Sequence, residues 1–193
     1  TSVPILITFQ QGVSPPGYTG CKDTHISQWY DERETNFCND STLEVRSSDG
    51  KATLIYFDVS VIPPTAAVIN AELHLYLEWS SSMGQVVPVG AFLVNRYWEV
   101  CQATWYSARA NVFWWSPGCN HVPLDRQGTP ADTVNVSLAG TWYKWNVTPL
   151  VQNWASNPTT NYGMVLKGFH TGVAVGFGFV SANHGAGYLR PKL

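Results

Sequence analysis

Strict alternation of apolar and polar residues, frequent Pro- and Gly-bearing punctuation and a lone helical segment predict an all-β chain. The expected architecture is a jelly-roll-like β-sandwich with one short helix, residues 1–193 forming a single domain. The clearest strand is the run 68–79. Ala71, Leu73, Leu75, Leu77 and Trp79 fall on one face, with Glu72, His74, Tyr76 and Glu78 on the other. Val173, Val175, Phe177 and Phe179 alternate with Ala174, Gly176 and Gly178, and the small residues imply that something packs closely over that second face.

Eight further strands are expected at residues 5–9, 24–29, 42–46, 53–58, 89–95, 143–147, 164–168 and 189–193. Pro15-Pro16-Gly17, Asp49-Gly50, Pro63-Pro64 and Pro117-Gly118 punctuate them. The helix is expected at 149–155. Thr148 is its N-cap, Pro149 its first residue and Asn157-Pro158 its end, with Leu150, Val151 and Trp154 plugging one end of the sandwich. The longest irregular stretch runs from Trp98 to Pro130; a loop of that length is usually functional or covalently tied down.

Composition narrows the function classes. Apolar residues make up 45% of the chain and aromatics 13%, which suits a folded core rather than disorder. Charged residues are only 12%, the net charge is −2 and the cations are scattered, so no nucleic-acid footprint exists. No apolar run has transmembrane length. A chain that begins at Thr1 fits a processed secretory product or an excised domain. Cys21 and Cys38 bracket one polar loop, and Cys101 and Cys119 another. Neither pair has metal-ligand spacing, so local disulfides Cys21–Cys38 and Cys101–Cys119 are expected, about 3 kcal/mol each, although four cysteines permit three connectivities. An oxidising, secreted or cell-surface location follows.

Catalytic signatures are missing. There is no G-x-S-x-G, H-E-x-x-H or Gly-rich phosphate loop, and the five histidines are dispersed. Asp31, Glu32 and Glu34 read better as a solvated charge run than as glycosidase carboxylates. The expectation is a non-enzyme. Trp79, Trp142 and Trp154 suit the core. Trp98, Trp105, Trp114 and Trp115 in the long loop are the candidates for stacking on sugar rings. No cofactor is required. Asp23, Asn36, Asn39 and Asp40 offer hard oxygens for a structural calcium, with turn capping as the competing account. Asn39, Asn135 and Asn146 begin glycosylation triplets, the last followed by Pro149.

Several segments taken in order resemble the DNRLRE-domain family: Phe9-Gln10-Gln11-Gly12, Asp23-Thr24-His25-Ile26-Ser27, Leu54-Ile55-Tyr56-Phe57-Asp58-Val59, and above all Trp142-Tyr143-Lys144-Trp145-Asn146-Val147-Thr148-Pro149-Leu150-Val151-Gln152. Arg190-Pro191-Lys192-Leu193 closes the pattern. The resemblance implies a secreted jelly-roll module allied to alginate-type carbohydrate-binding domains. It departs from that family in its four cysteines and in a closing strand that stops at Leu193. Two functions are therefore expected. One is an extracellular adhesion module with polysaccharide as partner. The other is a filament or sheath subunit whose partners are copies of itself, assembled head-to-tail by strand complementation, with Val3, Ile5, Ile7 and Leu193 at the contact. Neither involves nucleic acid or a membrane span.

Overall fold

The structure, a computed structural model, describes residues 3–193 and is an all-β sandwich with a single α-helix. Its strands are β1 (Cys21–Ser27), β2 (Thr42–Arg46), β3 (Lys51–Phe57), β4 (Glu72–Ser80), β5 (Val87–Leu93), β6 (Ser107–Arg109), β7 (Val112–Phe113), β8 (Asp132–Val136), β9 (Thr141–Asn146), β10 (Met164–Gly168) and β11 (Gly176–Val180). Helix α1 (Thr148–Ser156) lies between β9 and β10. One sheet has the order β1-β3-β10-β5-β8 and the facing sheet β2-β11-β4-β9, while β6 and β7 form a separate hairpin. Every pairing is antiparallel.

The two sheets differ in what their sequences bury. In the four-stranded sheet β4 alternates as expected: Leu73, Leu75 and Leu77 are fully buried, and Glu72, His74 and Tyr76 face outward. In the five-stranded sheet β3 and β10 are buried along nearly their whole length, so both faces of that sheet are covered. The inner faces share one core with Leu150, Val151 and Trp154 of α1. Trp145 crosses the sandwich from β9, and its indole N–H donates to the Val89 carbonyl on β5 at 2.8 Å, whereas the indole N–H of Trp154 in the same core meets no acceptor.

Several boundaries depart from expectation. Trp79 does not share the face of Leu77. The register shifts by one residue between Leu77↔Phe179 and Trp79↔Gly178, and this bulge turns the indole to the outer face. There it covers Gly178, the close packing that the small residues of β11 imply. Residues 5–9 form no strand. Val3, Ile5 and Leu6 are 84%, 86% and 93% exposed, and sheet-like backbone exchange begins only at Phe9, whose side chain enters the core and whose N–H and C=O pair with Leu193 at 2.7 and 3.0 Å. The last strand is replaced by a 3-10 turn, Gly187–Leu189, and a bridge of Lys192 to His74 and Gln10. Thr1, named in the expectations about the N-terminus, lies outside the described residues.

The cysteines also depart from local pairing. Cys38 is bonded to Cys101, 63 residues away, and Cys21 and Cys119 are buried free thiols. Sequence spacing favours short loops, but β1 carries Cys21 into the sandwich core while the segment after Trp29 lies against the 98–105 region. A closed loop of this length is worth about 4 kcal/mol on the chain-entropy account.

Two outcomes follow. In Gly178→Ala the new methyl runs into the Trp79 indole and should cost about 1–3 kcal/mol in urea unfolding, whereas at Gly176, where a Cβ would meet its nearest atom at 3.5 Å, alanine should cost under about 1 kcal/mol. Peptide mapping without reductant should recover Cys38–Cys101 as a linked pair, with Cys21 and Cys119 alkylated only after denaturation.

Candidate partner-binding surface

The outer face of the five-stranded sheet presents Ile26, Ala52, Leu54, Phe92 and Val165, all apolar. Left in water this face would forfeit about 1.5–3 kcal/mol for each large side chain. The chain between β5 and β8 folds back over it as a lid. Trp98, Trp105 and Trp114 drive inward and are 6%, 8% and 4% exposed, forming a second core with the sheet. Two of their indole N–H groups are satisfied: Trp98 donates to the Tyr162 carbonyl at 2.8 Å, and Trp114 to the Thr104 carbonyl at 3.0 Å. Three of the four loop tryptophans expected to meet sugar rings are thus anchors of the lid, and only Trp115, 61% exposed, offers its ring to a partner.

Polar groups fix the lid. Asp125 is fully buried, and its carboxylate accepts the backbone N–H groups of Trp115, Ser116 and His121 at 3.0–3.1 Å. Such charge-assisted bonds are strong because the alternative is a bare anion in an apolar site. Lys167 rises from β10 and donates to the Gly118 carbonyl at 2.6 Å while pairing with Asp49 at 2.9 Å. Asn36 donates to the Val100 and Ala103 carbonyls, reinforcing the tie that the Cys38–Cys101 bond makes between the lid and the loop after β1. The free thiol of Cys119 is pushed up to about 12 by burial, which keeps it protonated and inert.

The solvent side of the lid carries Phe113, Trp115, Val122 and Leu124, between 44% and 67% exposed. The Arg96 guanidinium lies over the Trp115 ring at 5.4 Å, and that of Arg126 over Phe92 at 4.4 Å. Arg96 and Arg126 have no carboxylate partner among the described residues, and the Nε of each is buried without a hydrogen bond. Beside the lid, Lys22, Tyr56, Tyr97 and Tyr162 line a shallow groove of about 180 Å³ in which the rings of Tyr97 and Tyr162 stand 6.0 Å apart. These features make a surface suited to holding another molecule, without a nucleophile or acid–base pair converging on it. Neither the arginines nor Phe113 carried a sequence signal. Their significance lies in what they fail to meet, which only the packing reveals.

The expected calcium ligands are dispersed among other tasks. Asn36 gives its amide nitrogen to the lid and its Oδ1 to the Cys38 N–H, while Asn39 and Asp40 are exposed. Asp23 is buried and accepts the Ala182 N–H at 2.7 Å. No group of three or more His, Cys, Asp or Glu side chains among the described residues is placed to hold a metal ion. Of the acidic run, Glu32 pairs with Lys51 at 2.9 Å, beneath the Trp29 ring. Asp31 and Glu34 are solvated.

A family model described as TGF-beta propeptide matches residues 22–176, most of the chain. No curated protein matches the sequence. This assignment overturns the resemblance to the DNRLRE family, and with it the readings of a carbohydrate-binding adhesion module, a filament subunit, and polysaccharide or self-copies as partners. The misreading has a physical cause. In the segment that carried the resemblance, Trp145, Val147, Leu150 and Val151 are core positions, so the pattern reported the sandwich and not a ligand. The chain is secreted and non-catalytic, as propeptides of this family are. No helix among the described residues is long and apolar enough to cross a membrane.

The inner face of β1 yields a pH prediction. Burial raises Asp23 from 3.8 to about 7, so between those values the folded protein holds a proton that the unfolded chain has lost, and stability falls as pH rises. Burial, helped by Lys51, lowers His25 from 6.5 to about 4. There the unfolded chain holds the extra proton, and stability rises with pH. The two slopes, about 1.4 kcal/mol per pH unit each, cancel across pH 4.5–6. Asp23→Asn should therefore lose stability relative to the parent by about that slope on acidification through this window, and His25→Asn should gain it, as read from urea midpoints. Parallel curves for all three proteins would refute the pairing.

Proposed function

We propose that this chain, which belongs to the TGF-beta propeptide family, is the prodomain of a secreted growth-factor precursor and binds the mature factor non-covalently. The family match over residues 22–176 carries the reading. The lid supports it: a covalently and electrostatically fixed platform lifts Trp115 and its apolar neighbours into solvent, and pre-ordered side chains bind with less loss of conformational entropy. The partner that fits is a protein face with apolar side chains at its centre and carboxylates positioned for Arg96 and Arg126. Within the chain neither guanidinium meets a carboxylate among the described residues, so an acid on the partner would be the first to pair with them.

The test is to mix the purified chain with a mature TGF-beta-class dimer and follow complex formation by size-exclusion chromatography and biolayer interferometry. A stable complex is expected, weakened about tenfold or more by Trp115→Ala and by Arg96→Ala, and Trp115→Ala should leave thermal unfolding unchanged because Trp115 is largely exposed. Failure of the unmodified chain to bind any such dimer at micromolar concentration would overturn the reading.

A further inference from the structure

We propose that the groove beside the lid docks an extended, proline-bearing segment of a partner protein, with an acidic residue next to the proline. The outer face of the five-stranded sheet is apolar under the lid and changes character where the lid stops. Ile26 and Leu54 are covered by the lid. Farther along the same strands the outward residues are Lys22 of β1 and Tyr56 of β3, paired in register. The Lys22 ammonium stands 5.6 Å from the centre of the Tyr56 ring, and the two residues form the floor of the groove. Tyr97, Trp98 and Val100 at the margin of the lid, with Tyr162 just before β10, form its wall. The rings of Tyr97 and Tyr162 meet there at 6.0 Å and a tilt of 59°.

Size limits the occupant. The groove holds about 180 Å³, below the roughly 300 Å³ at which cofactor and drug-sized sites begin. One ring of a larger partner fills it, as an anchor residue fills a hot-spot pocket. The lining is aromatic side chains on a sheet face, where no ladder of backbone groups lies open. Aromatic-lined grooves of this kind take polyproline II segments, whose φ is fixed before binding and whose prolines bring no N–H to bury. The carbonyls of such a segment need donors. The phenol hydroxyls of Tyr56, Tyr97 and Tyr162 make no intramolecular hydrogen bond among the described residues, unlike those of Tyr18 and Tyr143.

Charge selects the neighbour of the proline. No carboxylate lines the groove, and neither Lys22 nor Arg109 has an ion-pair partner among the described residues. Asp58, two residues after Tyr56, is turned to the Ser60 N–H, which donates to its Oδ1 at 2.9 Å. Arg109 braces the wall: its guanidinium lies 5.1 Å from the centre of the Tyr97 ring and donates to the Tyr97 carbonyl at 3.0 Å. Tyr97 is 46% exposed yet held in place before a partner arrives, which lowers the entropy lost on contact. Trp115 is not part of this lining, so the contact is separate from the one proposed for the mature factor.

The probe is the synthetic peptide acetyl-Pro-Pro-Glu-Pro-Pro-Glu-Pro-amide, titrated into the isotopically labelled full chain and followed by NMR. It needs no growth factor to bind, so this contact and the Trp115 surface can fail separately. A saturable shift of the Trp98 indole N–H is expected, with half-saturation below about 1 mM. Replacing the prolines of the peptide by alanine should weaken binding at least about fivefold. Tyr97→Ala should weaken it about tenfold or more, and Lys22→Glu should make the lysine-for-glutamate peptide the better ligand. Both side chains are exposed, and an unchanged spectrum away from the groove verifies that each variant folds. No shift at about 2 mM peptide, or equal binding of the glutamate and lysine peptides to the parent chain, would overturn the proposal. Shifts that neither substitution alters would place the peptide elsewhere and overturn it as well. So would self-association that grows with protein concentration and disappears in Tyr97→Ala, because a second copy would then fill the groove.

Discussion

One constraint shapes the molecule: the five-stranded sheet carries large apolar side chains on both faces, and one layer can cover only one of them. The four-stranded sheet and α1 cover the inner face, leaving Ile26, Leu54, Phe92 and Val165 to be buried by something else. Apart from the small β6–β7 hairpin, no further sheet or long helix is available among the described residues. The segment between β5 and β8 supplies the cover with little regular structure of its own, anchored by three tryptophans, whose large area compensates for the irregular backbone.

An irregular lid has backbone groups that no ladder satisfies, and this explains the buried charges beneath it. Asp125 takes three such N–H groups at once, and Lys167 takes the Gly118 carbonyl. Removing either would leave both a cavity and unpaired polar groups, so the loss of a single partner is costly. The Cys38–Cys101 bond performs the same task covalently. The free cysteines, both deeply buried with raised pKa values, contribute as small apolar side chains.

The prodomain role proposed above would give this construction a use. A prodomain must hold its partner without transforming it, and a pinned surface with exposed aromatics and unpaired guanidiniums suits holding. Stacked against Trp115, Arg96 presents a cation whose apolar plane is already covered, so little further ordering is needed on contact. The same aromatic richness that suggested sugar binding is mostly structural, because rings that pack well in a core and rings that stack on a ligand are chemically the same.

What the sequence determined by itself was whatever repeats at short range. Alternation located β4, the Gly-Phe pattern located β11, and the Thr-Pro start and Asn-Pro end located α1, because each depends only on which face a residue takes within its own element. What the tertiary structure decided was everything that joins distant segments. It set the disulfide spanning 63 residues, the bulge that turned Trp79 outward, the inward turn of Trp98, Trp105 and Trp114, and the lack of an ion-pair partner for Arg96 and Arg126 among the described residues. Those outcomes depend on the sheet order and on how much apolar area remains to be covered, quantities that exist only once the strands have paired.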